Sequence, residues 1–466
     1  MVKDKQRTLI FINILISCIA SSMLATALTT ALPTMINEFN ISVTTGQWLT
    51  SGYSLAMAIM MPLTAFLIIR FPTKKLYLAA ISFFVVGLLL AVIAPNFTVL
   101  MIGRILQEAC GNGILSSMAQ VILLTIYPLE KRGSIMGWYG LSIGAAPVIA
   151  PTITGILIDI TGWRMMFYLV IAIMIVSFIW AMAVFDDVLP NRKQTFDLLS
   201  FVLSGFAYGG LTLGIGNISS SLFSLQSGLP LLIGLLSMGL FAYRQFHLDD
   251  PFLDLSVLKN KIFVVSLIGS MLLYFIMMGS SIILPLLIQS IEGYSATVSG
   301  LVTLPGSLAM TLISPFTGKF YDKFGMKKLF FVGAIALLLS NLGMVFITLK
   351  TTIFIIALLN AFRSIAIGCL MMPLVTWGMS HIDNSLTAHG TALLTSLRTI
   401  AGAIGSAVFV SLMTTITKQS LPIYGGNAAI HGLNITFLAM TLSAVLLVLF
   451  AFFSGKSTLD TATELK

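Results

Sequence analysis

The stretch MPLTAFLIIRFPTKKLYL (61–78) is echoed in the second half of the chain by SPFTGKFYDKFGMKKLFF (314–331), with Pro62 opposite Pro315 and Lys74-Lys75 opposite Lys327-Lys328. Each copy runs from an apolar segment through a short basic turn into another apolar segment. Leu32-Pro33 and Leu284-Pro285 stand at nearly the same offset, and Arg104 has a counterpart in Arg363. A repeat set in apolar sequence marks transporters built from two related bundles that rock about a midplane site.

Composition places that repeat in lipid. The chain is 58% hydrophobic and 9% charged, far from the balance of a soluble domain. Apolar runs of spanning length recur near 8–32, 47–69, 76–95, 98–126, 134–158, 165–185, 198–216, 228–243, 262–290, 298–320, 329–349, 352–377, 388–416 and 430–454. The expectation is an all-α polytopic membrane protein of about fourteen spans. FDDVLPNRKQTFDLL (185–199) is a polar inter-bundle linker, and two spans with no mirror image in the repeat follow it. The expected plan is a six-helix bundle in 1–186, a linker region with two additional helices in 187–261, a second six-helix bundle in 262–455, and a tail in 456–466.

The net charge of +9 is explained by topology rather than by nucleic acid. With the N-terminus inside, the clusters at Lys3, Lys5 and Arg7, at Lys131 and Arg132, at Arg192 and Lys193, and at Lys323, Lys327 and Lys328 all fall on the cytoplasmic side. The sequence therefore predicts both termini in the cytoplasm. Cys18, Cys110 and Cys369 lie within spans without metal spacing and read as packing residues. The basic–apolar opening with Ala25-Thr26-Ala27 resembles a signal peptide, but the spans that follow it favour an uncleaved first helix.

Deep within the spans, charged side chains are few: Arg104, Glu108, Arg363 and Arg398. A charge at bilayer depth costs about 2.5–3.5 kcal/mol on insertion scales, so Glu108 needs a cation, a water-filled cavity or a proton. Arg104 and Glu108, four positions apart, share one helical face, which suits either a proton-coupling pair or a purely structural ion pair. For Arg363 and Arg398, hydrogen bonding between helices is the favoured reading over substrate contact. His389, at the basic mouth of the thirteenth span, could titrate near neutral pH. Methionines such as Met277-Met278 and Met371-Met372 suit helix packing or an adaptable pocket. A complete Gly-x-x-x-x-Gly-Lys-Ser/Thr phosphate loop, a metal-spaced cluster and a nucleophile with a base beside it are all missing from the sequence. The expectation is a protein that is not an enzyme and needs no cofactor.

The landmarks GRILQ (103–107), EKRGSIMG (130–137), LVTLPGSLAM (301–310) and LRTIAGAIGSAVFVSLM (397–413) make the chain resemble the major facilitator superfamily. Within it, the likeness is to the fourteen-span drug:proton antiporters, and most of all to the lincomycin-resistance-type multidrug permeases of Gram-positive bacteria. It extends over almost the whole chain. The resemblance implies a gating loop at Gly318, Asp322, Gly325, Lys327 and Lys328, decayed in the first half to Ala65, Ile69 and Pro72. It implies an antiporter motif at Gly140, Gly144, Pro147, Pro151 and Gly155, which would seal the bundle interface. Ala25 stands where such families often carry a first-span Asp, so coupling through that span does not carry over.

The function so implied is a secondary exporter of lipophilic or cationic compounds in a bacterial plasma membrane, drawing energy from the proton gradient by antiport, working by alternating access and acting as a monomer. Expected proton-coupling residues are Glu108 and Arg104. The expected substrate cavity comprises Thr26, Thr29, Thr30, Gln107, Tyr274, Asn360, Arg363 and Arg398. The partners are small-molecule substrates and the lipid bilayer. Two alternatives stand beside this reading: a dedicated exporter of one metabolite or lipid-like molecule, and a non-transporting membrane sensor of the same fold.

Overall fold

The computed structural model describes residues 4–41, 43–46, 48–216, 225–248, 250–294 and 296–453. Among these, fourteen long helical rods follow one another. They are α1 (Asp4–Phe39), α2 (Trp48–Arg70), α3 (Thr73–Val92), α4 (Phe97–Ile126), α5 (Arg132–Thr161), α6 (Arg164–Val184), α7 (Leu198–Gly216) and α8 (Leu225–His247). The chain continues through α9 (Lys261–Ile291), α10 (Ala296–Phe324), α11 (Met326–Val345), α12 (Ile353–Met379), α13 (Thr387–Tyr424) and α14 (Ala428–Phe453). Backbone groups have no water partners in hydrocarbon, so a chain this apolar must satisfy them inside helices. Eleven stretches among the described residues are long and apolar enough to span a bilayer, and one of them, Asn384–Phe452, contains both α13 and α14.

The repeat read from sequence is visible in the packing. In the first bundle α1 packs on α5 and α6, α3 on α6, and α2 on α4; in the second, α9 packs on α13 and α14, α11 on α14, and α10 on α12. Adding eight to each helix number converts one set into the other. The bundles meet along two seams that the same rule relates, α5 against α10 and α2 against α13. The extra helices break the symmetry. Helix α7 packs on α8, on α2 and on α13, with Tyr208 buried beside Ile400, so the additional pair covers the α2–α13 seam and leaves the α5–α10 seam to lipid.

The linker also fills a gap. Where the first-half loop has lost its Asp, Asp187 accepts from the Lys74 backbone N–H at 3.0 Å, capping the start of α3. The Leu189 N–H donates to Thr73 Oγ1 at 3.1 Å, and the Arg192 N–H donates to the Ile69 carbonyl at 3.1 Å. Gln194 reaches the Pro251 carbonyl, Arg192 pairs with Asp250 at 3.3 Å, and the Asp254 N–H donates to His389 Nδ1 at 3.1 Å. A backbone N–H can only donate, so Nδ1 of His389 carries its lone pair and the ring is neutral. Two linker segments thus strap the basic ends of α2, α3 and α13 together.

The opposite face has a clamp of its own. Glu38 accepts from Trp163 Nε1 at 2.5 Å and pairs with Arg164 at 2.5 Å, while Arg164 also donates to the Val92 carbonyl. Burial pushes the Glu38 carboxyl up, but the Trp163 and Arg164 donors outweigh it and hold the group below the usual carboxylate range.

Candidate functional site: a polar chamber between the bundles

The centre of α4 is not a regular α-helix. Residues Leu106–Asn112 form a π-helical segment inside the rod, a wide turn that inserts a residue and turns side chains toward the interior. Its placement follows from close packing on α3. A Cβ on Gly103 would stand 2.7 Å from the Gly87 carbonyl, and one on Gly111 would stand 2.7 Å from Phe84 Cβ. Only glycine permits that approach.

Arg104 and Glu108 face each other across this turn. Their side chains are both 0% exposed, with Arg104 Nη1 3.1 Å from Glu108 Oε1. Gln107 accepts a short hydrogen bond from the same Nη1 and donates through Nε2 to Glu108 Oε1 at 3.3 Å. The second carboxylate oxygen accepts from Asn112 Nδ2 at 2.9 Å. Both carboxylate oxygens are thus engaged, with a cation beside one of them. The pair alone serves a structural role as well as a functional one. Its connection to a cavity distinguishes the two.

Asn112 also lines a cavity of about 170 Å³ between the bundles, together with Ser21, Ser116, Gln120, Thr395 and Arg398. Glu108 thus lies one hydrogen bond behind the chamber wall. Cys18, Met57 and Met61 supply apolar wall, and Tyr139 stands at its edge, donating to the Ser116 carbonyl. Arg398, 7% exposed, reaches in from α13 of the second bundle, with its guanidinium 4.8 Å above the Tyr274 ring. Its Nε and Nη1 are buried without a hydrogen-bond partner.

Several expected cavity residues lie elsewhere. Gln107 does not line this chamber, because its amide is drawn into the Arg104–Glu108 pair. Arg363 and Asn360 do not line it either; Arg363 donates to Asn360 Oδ1 at 2.6 Å inside the second bundle, where Asn360 faces Gly306 of α10. Tyr274 forms the platform under Arg398. The side chains of Thr26, Thr29 and Thr30, and those of Pro147 and Pro151 together with Gly155, fall outside the described residues. The sequence reading overlooked Asn112, Ser116 and Gln120, although with Glu108 they form a polar stripe at every fourth position of α4.

The α5–α10 seam closes the basic side of the chamber. Asp322 Oδ1 and Oδ2 accept the backbone N–H groups of Gly133 and Ser134, each at 2.7 Å, at the start of α5. A Cβ on Gly140 would stand 2.5 Å from Ser314 Oγ, and one on Gly144 would stand 2.7 Å from Thr311 Oγ1. Ser314 donates to the Gly137 carbonyl at 2.9 Å. Gly318 packs on the Gly133 backbone, and Gly325, with φ +73°, makes the turn into α11. Lys327 and Lys328 are exposed. Arg132 adds one more bond between the bundles, to Asn384 just ahead of α13, at 3.2 Å.

Residues 10–406 match the family model for the Major Facilitator Superfamily. The chain belongs to that superfamily. Among curated relatives, it is 35% identical to the uncharacterized MFS-type transporter YcnB of Bacillus subtilis over 92% of this chain and 90% of that one. It is 34% identical to the lincomycin resistance protein LmrB of Listeria monocytogenes over 84% and 83% of the two chains. Among solved structures, the proton:xylose symporter XylE superposes with a TM-score of 0.67 at 14% identity, covering 100% of each chain; at that identity the likeness speaks for the fold alone. This major facilitator protein is a multi-pass membrane transporter of small molecules, with relatives named for drug resistance, and not an enzyme.

Proposed function

We propose that this transporter is a proton-driven secondary exporter of diverse lipophilic compounds, working as a monomer by alternating access in a bacterial plasma membrane. The observation that carries the reading is the Glu108–Asn112 bond, which joins a buried carboxylate to the chamber between the bundles. In the conformer described here the basic side is shut by Asp322 on α5 and by the linker strap. Parting of that seam would open the chamber to the side that holds the basic loops, taken as the cytoplasm. The present volume is below the roughly 300–1,000 Å³ of drug-sized sites, so loading requires the bundles to move apart.

Glu108 is the group that can exchange a proton. Here it is matched to Arg104; a rearrangement that draws Asn112 or Arg104 away would leave a buried carboxylate without its partners, a place that a proton can fill. Proton binding and release then follow the state of the chamber. The test is efflux in everted vesicles across a panel of toxic lipophilic compounds, lincomycin among them. Wild-type export should stop when the proton gradient is collapsed. Glu108→Gln should reach the membrane at parental levels yet pump no faster than the collapsed-gradient control. Gradient-driven export by Glu108→Gln at the parental rate would place coupling elsewhere.

The orientation carries its own expected result. Single cysteines at Ser220 and Gly425 should react with an impermeant maleimide on intact cells, and those at Asn191 and Asp250 only after permeabilisation. Labelling of Asn191 from outside would reverse the topology.

A further inference from the structure

Among the described residues, four charged side chains are buried deep within the spans: Arg104, Glu108, Arg363 and Arg398. Arg104 cancels Glu108 at 3.1 Å. Arg363 and Arg398 have no carboxylate beside them; Arg363 has Asn360 and Arg398 has the Tyr274 ring. Among the described residues the bundle interior therefore carries a positive excess, and none of those lining the chamber is acidic. Of the two uncompensated guanidiniums, Arg398 is the one in the chamber wall.

The stacking on Tyr274 does not exhaust it. A guanidinium lies face-on to an aromatic ring, while its N–H groups point outward in its own plane. Two of its nitrogens, Nε and Nη1, are buried without an acceptor. They lie on different edges of the planar fork, Nε beside Nη2 and Nη1 toward Cδ, so each edge offers an oxyanion one donor that is not yet used. Thr395, one helical turn before Arg398, adds a buried hydroxyl that also lacks a partner. Buried donors without acceptors are rare in folded proteins and call for a missing group.

We propose that the chamber selects cargo through a carboxylate or an equivalent oxyanion, gripped edge-on by Arg398, so that the preferred compounds are lipophilic organic anions. This rests on the exporter reading above and replaces the expectation of cationic cargo, which fits poorly with a positively charged wall. The apolar body of such a compound would lie against Cys18, Met57 and Met61. Export of an anion is also assisted by an inside-negative potential, as is proton entry through Glu108. Both legs of the exchange then run down the field.

The test uses three probes of one size: 2-naphthoate, the neutral 2-naphthamide and 2-naphthyltrimethylammonium. Their binding to the purified full-length protein is measured by equilibrium dialysis. In the wild type, 2-naphthoate should bind about tenfold tighter than either of the others, the increment of one charge-assisted hydrogen-bond set. Arg398→Lys should keep the anion ahead of the cation. Arg398→Met, checked for a monodisperse elution profile, should bind all three alike. Naphthyltrimethylammonium bound as tightly as naphthoate by the wild type, no binding of any probe, or an unchanged ranking in Arg398→Met overturns the proposal. Vesicle export is scored separately. If the vesicles pump while the ranking fails, only the charge selection falls; if the ranking holds and nothing is pumped, the exporter reading falls.

Discussion

Arg104→Met should destabilise the folded chain by about 3–5 kcal/mol, because it leaves a fully buried carboxylate without its cation. Glu108 would keep Asn112 and Gln107 as donors, but neutral amides do not balance a charge at bilayer depth. The double substitution Arg104→Met/Glu108→Gln should recover most of that loss, since removing both members of a buried pair costs far less than removing one. Transport separates the roles. The double variant should unfold near the wild-type temperature in a tryptophan-fluorescence melt, yet pump no faster with a proton gradient than without one. Arg104→Met within about 1 kcal/mol of the wild type would mean that Glu108 carries a proton in the resting protein. A double variant that both folds and pumps would make the pair purely structural.

How far the site was legible depended on which physical rule governed each residue. The fourteen rods and the two-bundle plan follow from apolar length and an internal repeat, and both are strong signals in a membrane protein. The Arg104–Glu108 pair was legible because a lone acid in lipid sequence demands a partner, and helical spacing names it. The link to the chamber was not, because it depends on a π-helical turn over Leu106–Asn112. That turn is set by glycine contacts between α3 and α4, which no periodicity in α4 records. Arg398 was read as a helix-to-helix donor for a related reason. Its polar neighbours in the chamber come from α1, α4 and α5, far away in sequence, and only the fold shows that none of the described ones is an acid.

The decayed first-half loop shows the same limit from another side. Losing the Asp at Ile69 reads, in sequence, as a missing latch. In the structure the start of α3 is capped by Asp187 and the start of α13 is bonded through His389 to Asp254. The inter-bundle linker has taken over the polar contacts that the loop gave up. A linker's composition shows that it is exposed and polar, but not where it docks.

That asymmetry makes Asp322 the position where a single carboxylate governs closure. Its two oxygens accept the first free N–H groups of α5, where the helix dipole adds to each bond. A hydrogen bond to a charged group contributes about 1.5–3 kcal/mol, less at a half-buried position, so Asp322→Ala should weaken the closed basic face by about 2–3 kcal/mol, or roughly 30- to 150-fold in population. Gly318→Ala should act in the same direction by a different route, because its new methyl would stand 2.1 Å from the Gly133 carbonyl and force α5 and α10 apart. Ile69→Ala, at the mirror position, should not open the basic face, since it trims buried apolar packing and leaves the carbonyl's bond to the Arg192 N–H in place. Spin labels at Glu130 and Asp383, exposed on the basic ends of the two bundles, report the opening by double electron–electron resonance. A long-distance component should grow in Asp322→Ala and Gly318→Ala and stay absent in Ile69→Ala. A distribution unchanged by Asp322→Ala would assign closure to the glycine seam and the linker strap alone. Matching shifts in all three variants would mean that the latch is still shared between the two halves.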